Sequence, residues 1–298
     1  MAKLVFGCGY LGSRVASAWR AAGHDVYVVT RSSRRADELA GEGYRPLLAD
    51  VTLPDDFPQW PPAETVLYAV GYDRKTANSI EQIYVGGLAN VLDSLPAGAA
   101  PANGMNSVLQ GRFIYISSTG VYGDSRGALV NEDTPCNPER AGGKACLAAE
   151  QLLLAGPLAR RAVILRMAGI YGPGRLPNLK SLLAGDPLAA AGEAHLNLIH
   201  VDDAVAAVLA AERVEVRLPR TYLVSDGAPG LRRDFYAQCA RLVGAPPPRF
   251  EAPAAPQLSR GGAADKRISN ARMMAELGVV PRYGSYREGL AQIASGAW

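Results

Sequence analysis

Lys3-Leu4-Val5-Phe6-Gly7-Cys8-Gly9-Tyr10-Leu11-Gly12 joins an apolar, strand-like run to a GxGxxG loop at the start of the chain. The first glycine of such a loop allows a tight turn, the second lets a pyrophosphate approach the backbone, and the third lets the next helix pack on the strand. Free N–H groups at the start of that helix, predicted over 11–22, attract phosphate. The stretch therefore predicts a dinucleotide site that includes Gly7, Gly9, Tyr10, Leu11 and Gly12; a purely structural glycine turn is the alternative.

Short apolar runs alternate with helix-length segments outward from this loop. The predicted strands are Lys3–Phe6, Asp25–Thr30, Arg45–Leu48, Thr65–Val70, Arg112–Ser117, Ala162–Arg166 and Arg220–Val224. The predicted helices are 11–22, 33–41, 78–95, 142–155, Asp203–Glu212, Arg232–Leu242, Asn270–Leu277 and Tyr286–Ile293. Strands that alternate with helices and are apolar throughout form parallel sheets covered on both faces. The pattern predicts an α/β fold, a Rossmann-type doubly wound parallel sheet with a small C-terminal substrate lobe.

The regular alternation of strands and helices ends after Gly172, where proline and glycine become frequent. We assign 1–171, together with about 199–226, to an NAD(P)-binding domain, and 172–198 with 227–298 to a small substrate-binding lobe. Residues 96–111 are small and polar and predict a surface loop, as do the five prolines of 245–256.

The composition limits the functional classes. The 298 residues are 48% hydrophobic and 20% charged, with a net charge of +3, which is too mild a charge to indicate binding to nucleic acid or to an anionic membrane surface. No apolar run reaches the ~18 residues that span a bilayer. The four cysteines and three histidines lack metal-ligand spacing, so no metal site is expected. We interpret the cysteines as reduced thiols of a cytoplasmic protein.

The end of the second strand predicts which nicotinamide dinucleotide binds. An Asp or Glu at this position would accept hydrogen bonds from a ribose 2′-hydroxyl, but the chain continues Arg31-Ser32-Ser33-Arg34-Arg35 and has no acid before Asp37. Guanidinium groups pair with phosphate through two parallel hydrogen bonds. Arg31, Ser32 and Arg34 therefore favour NADP (NADPH) over NAD, and a solvated basic turn is the alternative.

The whole chain resembles the extended short-chain dehydrogenase/reductase superfamily, in its epimerase/dehydratase branch. Motifs similar to those of this branch occur in the expected order over residues 1 to about 293. They are the glycine loop, Asp50-Val51, Ala69-Val70-Gly71, Ile116-Ser117-Ser118-Thr119-Gly120-Val121-Tyr122-Gly123, Leu165-Arg166 with Ile170–Gly174, and Ile199–Asp203. Within the branch, the chain looks most like an atypical group of bacterial oxidoreductases.

The resemblance implies further cofactor and catalytic residues. Beside the glycine loop and the basic turn, the implied cofactor-binding residues are Asp50, Val51, Ala69, Val70, Gly71, Ser117 and Lys144. Lys144 opens a segment similar to the family's KxxxE and aligns with the catalytic lysine that binds the nicotinamide ribose. Ser118 aligns with the Ser/Thr that orients the substrate oxygen.

The chain departs from the family pattern at the catalytic tyrosine. Arg140 stands four residues before Lys144, where the family has tyrosine. An arginine keeps its charge at every physiological pH and cannot shuttle a proton. Beside Lys144 it would instead bind a carboxylate, a phosphate or a developing oxyanion.

Other side chains are candidates for the missing proton donor. Tyr122 is the first of these, and it is counted with Ser118, Lys144 and Arg140 as a catalytic candidate. The others are Tyr72, Asp73 and Tyr171, and each candidate has a structural alternative, such as a tyrosine that packs in the core with its hydroxyl on a backbone group. His195 is a weaker candidate for ligand contact, whereas His200, Asp202, Cys136 and Cys146 are expected to have packing roles.

Two main functions follow from these residues. The first is an NADP-dependent oxidoreductase-like enzyme that transfers hydride to or from a small polar carbonyl or hydroxyl compound, with an anionic compound as one option. The second is a catalytically silent NADPH-binding sensor or scaffold, which the absent tyrosine suggests. The expected partner is a small-molecule substrate, and the resemblance also allows a homodimer.

Overall fold

The computed structural model describes residues 2–73, 75–95, 109–251 and 264–296. The strands are β1 (Ala2–Phe6), β2 (Asp25–Thr30), β3 (Arg45–Leu48), β4 (Ala63–Tyr68), β5 (Leu109–Ser118), β6 (Leu129–Val130), β7 (Ala162–Met167), β8 (Gly169–Tyr171), β9 (Leu188–Ala189), β10 (His195–Leu196), β11 (Leu198–His200), β12 (Arg220–Val224), β13 (Gly230–Leu231), β14 (Phe250–Glu251) and β15 (Arg267–Ile268). The α-helices are α1 (Gly12–Ala21), α2 (Ser33–Gly41), α3 (Gly87–Ser94), α4 (Ala141–Ala155), α5 (Leu179–Ala184), α6 (Val201–Arg213), α7 (Arg232–Val243) and α8 (Tyr286–Ser295).

Seven strands form one sheet in the order β12-β7-β5-β4-β1-β2-β3. β1 pairs in parallel with β2 on one side and with β4 on the other, so that Phe6 lies beside both Val29 and Tyr68. The strand order reverses at β1, and a crevice at such a switch point is where sheets of this kind bind ligands. The predicted doubly wound parallel sheet is confirmed.

The chain divides into two compact units. The first contains 1–117, 144–165 and 208–221, and the second contains 118–143, 166–207 and 222–298. Residues 118–143, 166–171, 199–207 and 222–226, which we assigned to the NAD(P)-binding domain, fall in the second unit. The assignment of cofactor and substrate roles to these regions stays a prediction.

Each unit has its own apolar core. In the first, Phe6, Tyr68 and Phe113 are fully or almost fully buried among the aliphatic residues of the parallel strands. In the second, Tyr171 and Phe235 are fully buried and meet edge to face. Burying aromatic rings of this size removes a large apolar area from water, which is the main favourable term in folding.

A buried ion cluster ties distant segments of the first unit together. Lys3 is only 1% exposed, and its Nζ donates to Glu64 at 2.7 Å, to Thr65 Oγ1 at 3.3 Å and to Glu212. The indole of Trp19 donates to the second oxygen of Glu212 at 2.8 Å. A buried charge is tolerated only when it is paired and hydrogen-bonded in this way.

Several predicted elements differ from the observed ones. Predicted helix Asn270–Leu277 contains a π-helical turn over Met273–Leu277, and predicted strand Arg112–Ser117 begins at Leu109. Predicted helix 78–95 contains a π-helical turn, Gln82–Gly86, before α3. At the start of α3, Gly87 packs against Val51 so closely that a Cβ on Gly87 would lie 2.7 Å from Val51 Cγ2. The predicted loop 245–256 contains β14, which pairs with β9. The predicted strand Thr65–Val70 ends at Tyr68 and begins at Ala63. Most of the predicted loop 96–111 lies outside the described residues.

Candidate functional site

The glycine loop after β1 has the geometry that a dinucleotide needs. Gly7 has φ +90°, and a Cβ there would lie 2.4 Å from the carbonyl oxygen of Ala69. A Cβ on Gly12 would lie 2.2 Å from Gly7 O, so this position is also closed to side chains. At Gly9, in contrast, a Cβ would meet nothing within 4 Å. The open position therefore leaves space for a ligand against the backbone, in front of α1.

The remaining residues of the loop are held in place by the first turn of α1. Ser13 N donates to Gly9 O at 2.9 Å, and Arg14 reaches back to the carbonyl of Tyr10 at 2.9 Å. The guanidinium of Arg14 also lies 4.1 Å from the centre of the Tyr10 ring. Leu11 is buried. These contacts fix the shape of the loop at the start of α1.

The basic turn after β2 contains arginines of two kinds. Arg35 bridges Glu38 at 2.9 Å and Glu42 at 3.2 Å, so its charge is compensated. Arg34 is 89% exposed and only 3.6 Å from Glu38, and Arg31 is half exposed, 3.9 Å from Asp50. Ser32 caps α2, because its hydroxyl accepts from Arg35 N. Arg31 and Arg34 therefore lie beside a helix N-terminus, an arrangement that suits a phosphate.

Asp50 borders a cleft of about 360 Å³ in the first unit. The cleft is lined by Asp50, Thr52, Leu53, Asn78, Gln82, Gly86 and Asn90. One oxygen of Asp50 accepts from both the amide and the hydroxyl of Thr52, at 2.9 and 2.7 Å. Val51 is buried, and its carbonyl accepts from Asn90 at 2.9 Å. This arrangement fixes the orientation of the Asp50 carboxylate at the rim of the cleft.

The loop after β4 runs beside the glycine loop. Ala69 N donates to Phe6 O at 2.8 Å, which holds Ala69 against Gly7. Val70 is half-buried and Gly71 is exposed. The amide of Tyr72 donates to the hydroxyl of Tyr84 at 3.2 Å, and Asp73 caps a turn by accepting from Lys75 N. Asp73 therefore has a structural contact in this loop, and the roles of Tyr72 and Asp73 as proton donors stay predictions.

Ser117 and Lys144 differ in accessibility. Ser117 is buried, and its hydroxyl donates to Glu150 at 2.5 Å. Burial raises the pKa of the neighbouring Cys146 to about 12, and the charge of Glu150 adds to the shift. Cys146 is therefore an inert core thiol, as expected. Lys144 is exposed on α4, where it is accessible to a ligand.

In the second unit, Ser118 and the segment that carries Arg140 approach each other closely. Ser118 Oγ accepts from Gly120 N at 3.0 Å, which leaves its own hydrogen for another acceptor. Gly143 packs so tightly on this turn that a Cβ there would lie 2.1 Å from Gly120 O. Arg140 is half-buried, and this burial lowers its pKa while the nearby charge of Glu139 opposes the shift. Its guanidinium stays charged.

Tyr122 is buried, and both of its hydrogen-bonding functions are used. The phenol donates to Asn131 O at 2.9 Å and accepts from Arg166 at 2.6 Å. Burial raises the pKa of Tyr122 to about 12, although Arg166 opposes the shift. These contacts favour the packing role over a proton donor, and the catalytic role stays a prediction.

Other candidates are also parts of the second unit's framework. Tyr171 is fully buried against Gly289, where a Cβ would meet its hydroxyl. His200 stacks on Tyr283, and Asp203 accepts the amides of Arg282 and Tyr283 at 2.8 and 3.0 Å. His195 pairs with Asp265 at 2.7 Å and is partly exposed.

Sequence reasoning missed Lys266. Its Nζ donates to the carbonyl oxygens of Tyr122 and Gly123 at 3.0 and 3.5 Å. Burial lowers the pKa of Lys266 to about 8, and the charges of Arg140 and Arg232 lower it further. The residues involved are far apart in sequence and share no motif, so no signal in the sequence brings them together.

Within the described ranges, no helix is long and apolar enough to cross a membrane. The same part of the chain contains no group of three metal-ligating side chains.

Comparisons with known proteins agree with this geometry. The model of the NAD dependent epimerase/dehydratase family matches residues 4–225. Protein YeeZ of Escherichia coli K12 is 32% identical over 206 residues, which cover 68% of this chain and about two thirds (66%) of that protein. A Streptomyces protein named 3-diazoavenalumate denitrifying reductase is 28% identical over 98% of this chain and 100% of its own length.

A solved structure shares the fold along almost the whole chain. It is that of a conserved protein of unknown function from Silicibacter pomeroyi, with 27% identity and a TM-score of 0.76. The alignment covers 99% of this chain and 98% of that one.

Proposed function

Because this chain belongs to the NAD-dependent epimerase/dehydratase family, whose members bind a nicotinamide dinucleotide, we propose that it is an NADP-dependent oxidoreductase-like enzyme. Its substrate is a small polar, anionic carbonyl or hydroxyl compound. The observation that carries the proposal is the glycine loop, in which Gly7 and Gly12 are closed to side chains and Gly9 is open. A pyrophosphate needs a position where it can approach the backbone closely, and a single methyl group at Gly9 would fill that space.

The preference for NADP rests on the turn after β2. Arg31 and Arg34 are exposed, whereas Arg35 is compensated by two glutamates. Their position beside the N-terminus of α2 gives a 2′-phosphate both charge and donors, and no acid in the turn precedes Asp37 to accept from a 2′-hydroxyl.

The chain's own residues would divide the catalytic work as follows. A bound nicotinamide would supply or accept hydride at its C4 carbon. Lys144, exposed on α4, would bind the nicotinamide ribose, and Ser118 would donate a hydrogen bond to the reacting oxygen. The proton that this oxygen gains or loses would be exchanged with solvent. Arg140 binds an anionic group of the substrate, because it is charged at every working pH. The reductase named among the relatives agrees with an oxidoreductase reaction.

The test is a titration of the purified protein with NADPH and with NADH, followed by nicotinamide fluorescence. Micromolar binding of NADPH and much weaker binding of NADH are expected. Lys144→Ala should weaken the binding of NADPH, whereas Lys180→Ala, which removes an exposed lysine of the second unit, should not. If neither dinucleotide binds, the proposal fails.

A catalytically silent NADPH-binding sensor is the second candidate, and the arginine at position 140 favours it because a proton shuttle is missing there. This candidate predicts tight binding of NADPH without exchange of its C4 hydrogen. Stereospecific exchange of a labelled C4 hydrogen with any carbonyl compound would exclude it.

A further inference from the structure

We propose that Arg140, Arg232 and Lys266 form an anion-binding site in the second unit, which takes a carboxylate or phosphoryl group of the ligand. This inference rests on the proposed function, since it names the groups that recognise the anionic substrate. Two of the three residues, Arg232 and Lys266, were not candidates from the sequence.

Hydrogen bonds to backbone groups bring together the segments that carry the three cations. The guanidinium of Arg232 donates to Ala264 O at 2.9 Å, two residues before Lys266. Lys266 in turn donates to the carbonyl of Tyr122. The segment after Tyr122 is tied to the residue beside Arg140, because Asp124 N donates to Glu139 at 3.2 Å. The cluster is therefore built from four separate stretches of the chain.

The charges of the cluster act on one another. Burial is the main cause that lowers the pKa of Lys266 and that of Arg232; Arg140 and Arg232 lower the pKa of Lys266 further, and Arg140 lowers that of Arg232 further. The charges of Glu139 and Asp124 raise the pKa of Lys266, and that of Asp265 raises the pKa of Arg232, so these carboxylates offset part of the repulsion. An anionic ligand would offset the rest.

The nearby carboxylates are engaged elsewhere. Asp124 accepts the amides of Arg126 and Asp265 at 3.1 and 2.8 Å, and Asp265 accepts from both the amide and the ring of His195. Glu139 accepts the amide of Asp124. Along the described stretches of the chain, neither Arg140 nor Lys266 forms an ion pair with a carboxylate.

Accessibility differs within the cluster in a way that suits a ligand. Arg232 is only 5% exposed, whereas Arg140 and Lys266 are half-buried. Arg140 and Lys266 are therefore the two cations that solvent reaches more easily, and Arg232 contributes a buried charge. Charge-assisted hydrogen bonds of this kind are the strong ones, particularly where solvent is partly excluded.

The test uses the full chain without dinucleotide, and malonate and inorganic phosphate as probes. The chain has five lysines, so the side-chain signals of ¹³C-lysine-labelled protein resolve Lys266, assigned by its loss in Lys266→Met. Either probe should raise the pKa of Lys266 and leave that of Lys180 unchanged. Calorimetry should show binding that is at its full strength below pH 8 and weakens as Lys266 loses its proton above it.

Variants distinguish this site from general attraction by a basic surface. Arg140→Gln and Lys266→Met should each weaken malonate binding by about tenfold or more. Arg233→Gln and Lys180→Met remove the same charge outside the cluster and should not. Arg232→Met should weaken malonate binding in the same way. If that variant does not fold, Arg232→Lys, which keeps the buried charge, should still bind malonate.

Two outcomes would overturn the inference. One is a Lys266 pKa that neither probe shifts, and the other is equal weakening in the control variants. Either result alongside intact NADPH binding refutes the anion site alone. If the unaltered protein does not bind NADPH, the proposed function is refuted instead.

Discussion

A Cβ atom on Gly7 would lie 2.4 Å from the carbonyl oxygen of Ala69, whereas Gly9, two residues later, has open space at the same position. The two glycines are therefore required for different reasons. Gly7 is required by the protein, because the loop after β4 presses on it and its φ of +90° disfavours side chains. At Gly9 a Cβ would meet no atom of the described residues within 4 Å, so the proposed dinucleotide is what would require a glycine there.

This difference predicts opposite results for the two alanine variants. Gly9→Ala should leave the melting temperature within about 2 °C of the original and weaken NADPH binding by about tenfold or more, because a methyl group occupies the cradle. Gly7→Ala should lower the melting temperature strongly. Thermal unfolding and fluorescence titration measure both effects, and Gly41→Ala, another open position, is the control. Unchanged NADPH binding by Gly9→Ala would show that the loop does not hold the pyrophosphate.

The basic turn predicts that cofactor preference depends on two of its three arginines. Arg31→Gln and Arg34→Gln should each weaken NADPH binding by about tenfold and leave NADH binding unchanged, because each loses a guanidinium that pairs with the 2′-phosphate. Arg35→Gln removes the same charge, but Glu38 and Glu42 already compensate it, so its effect should be small. Equal losses in all three variants would indicate attraction by overall charge.

Tyr122 offers a test of packing against catalysis. Tyr122→Phe removes the bond to Asn131 O and the acceptor for Arg166, so the free energy of unfolding should fall by about 1–3 kcal/mol. Hydride exchange, measured below the unfolding transition, should persist. Urea titration gives the free energy of unfolding. A variant with full stability and no exchange would assign the proton donor to Tyr122 after all.

Asp226 predicts a pH dependence of stability. Burial raises its pKa to about 7, well above the value of about 3.9 in an unfolded chain. The folded state therefore prefers the protonated carboxyl, and stability that is present below about pH 4 is lost as the pH rises through 7. Between pH 5 and 8 the loss should be roughly 2–3 kcal/mol.

Asp226→Asn should remove this loss, because the amide has no charge to bury and keeps an oxygen for Ala228 N. Urea unfolding at pH 5 and at pH 8 measures the difference in the free energy of unfolding. Asp186→Asn, at an exposed carboxylate, should retain the original pH dependence. The same slope in both variants would mean that Asp226 is already charged in the folded protein.

Local patterns in the sequence predict the fold well. The glycine loop, the apolar strands and the family motifs each depend on residues close together in the chain, so the parallel sheet and the family are both confirmed. The distinction among the three arginines was not predictable, since it depends on where Glu38 and Glu42 lie around α2.

The cationic cluster could not be predicted from the sequence, for a related reason. Lys266 meets Tyr122, which is 144 positions away, and Arg232 reaches Ala264 across another connection. No period or spacing encodes such contacts. The burial of a side chain is equally hard to predict, because nothing in the neighbouring sequence distinguishes the buried Asp226 from the exposed Asp202.

The ion cluster around Lys3 has a consequence for synthesis on the ribosome. Lys3 emerges well before Glu212, which follows it by 209 positions. The nascent chain therefore makes the glycine loop and most of the parallel strands long before the carboxylate that completes the burial of Lys3. The first unit is finished late, and a chain released after residue 200 would leave Lys3 with Glu64 but without the second acid that α6 supplies.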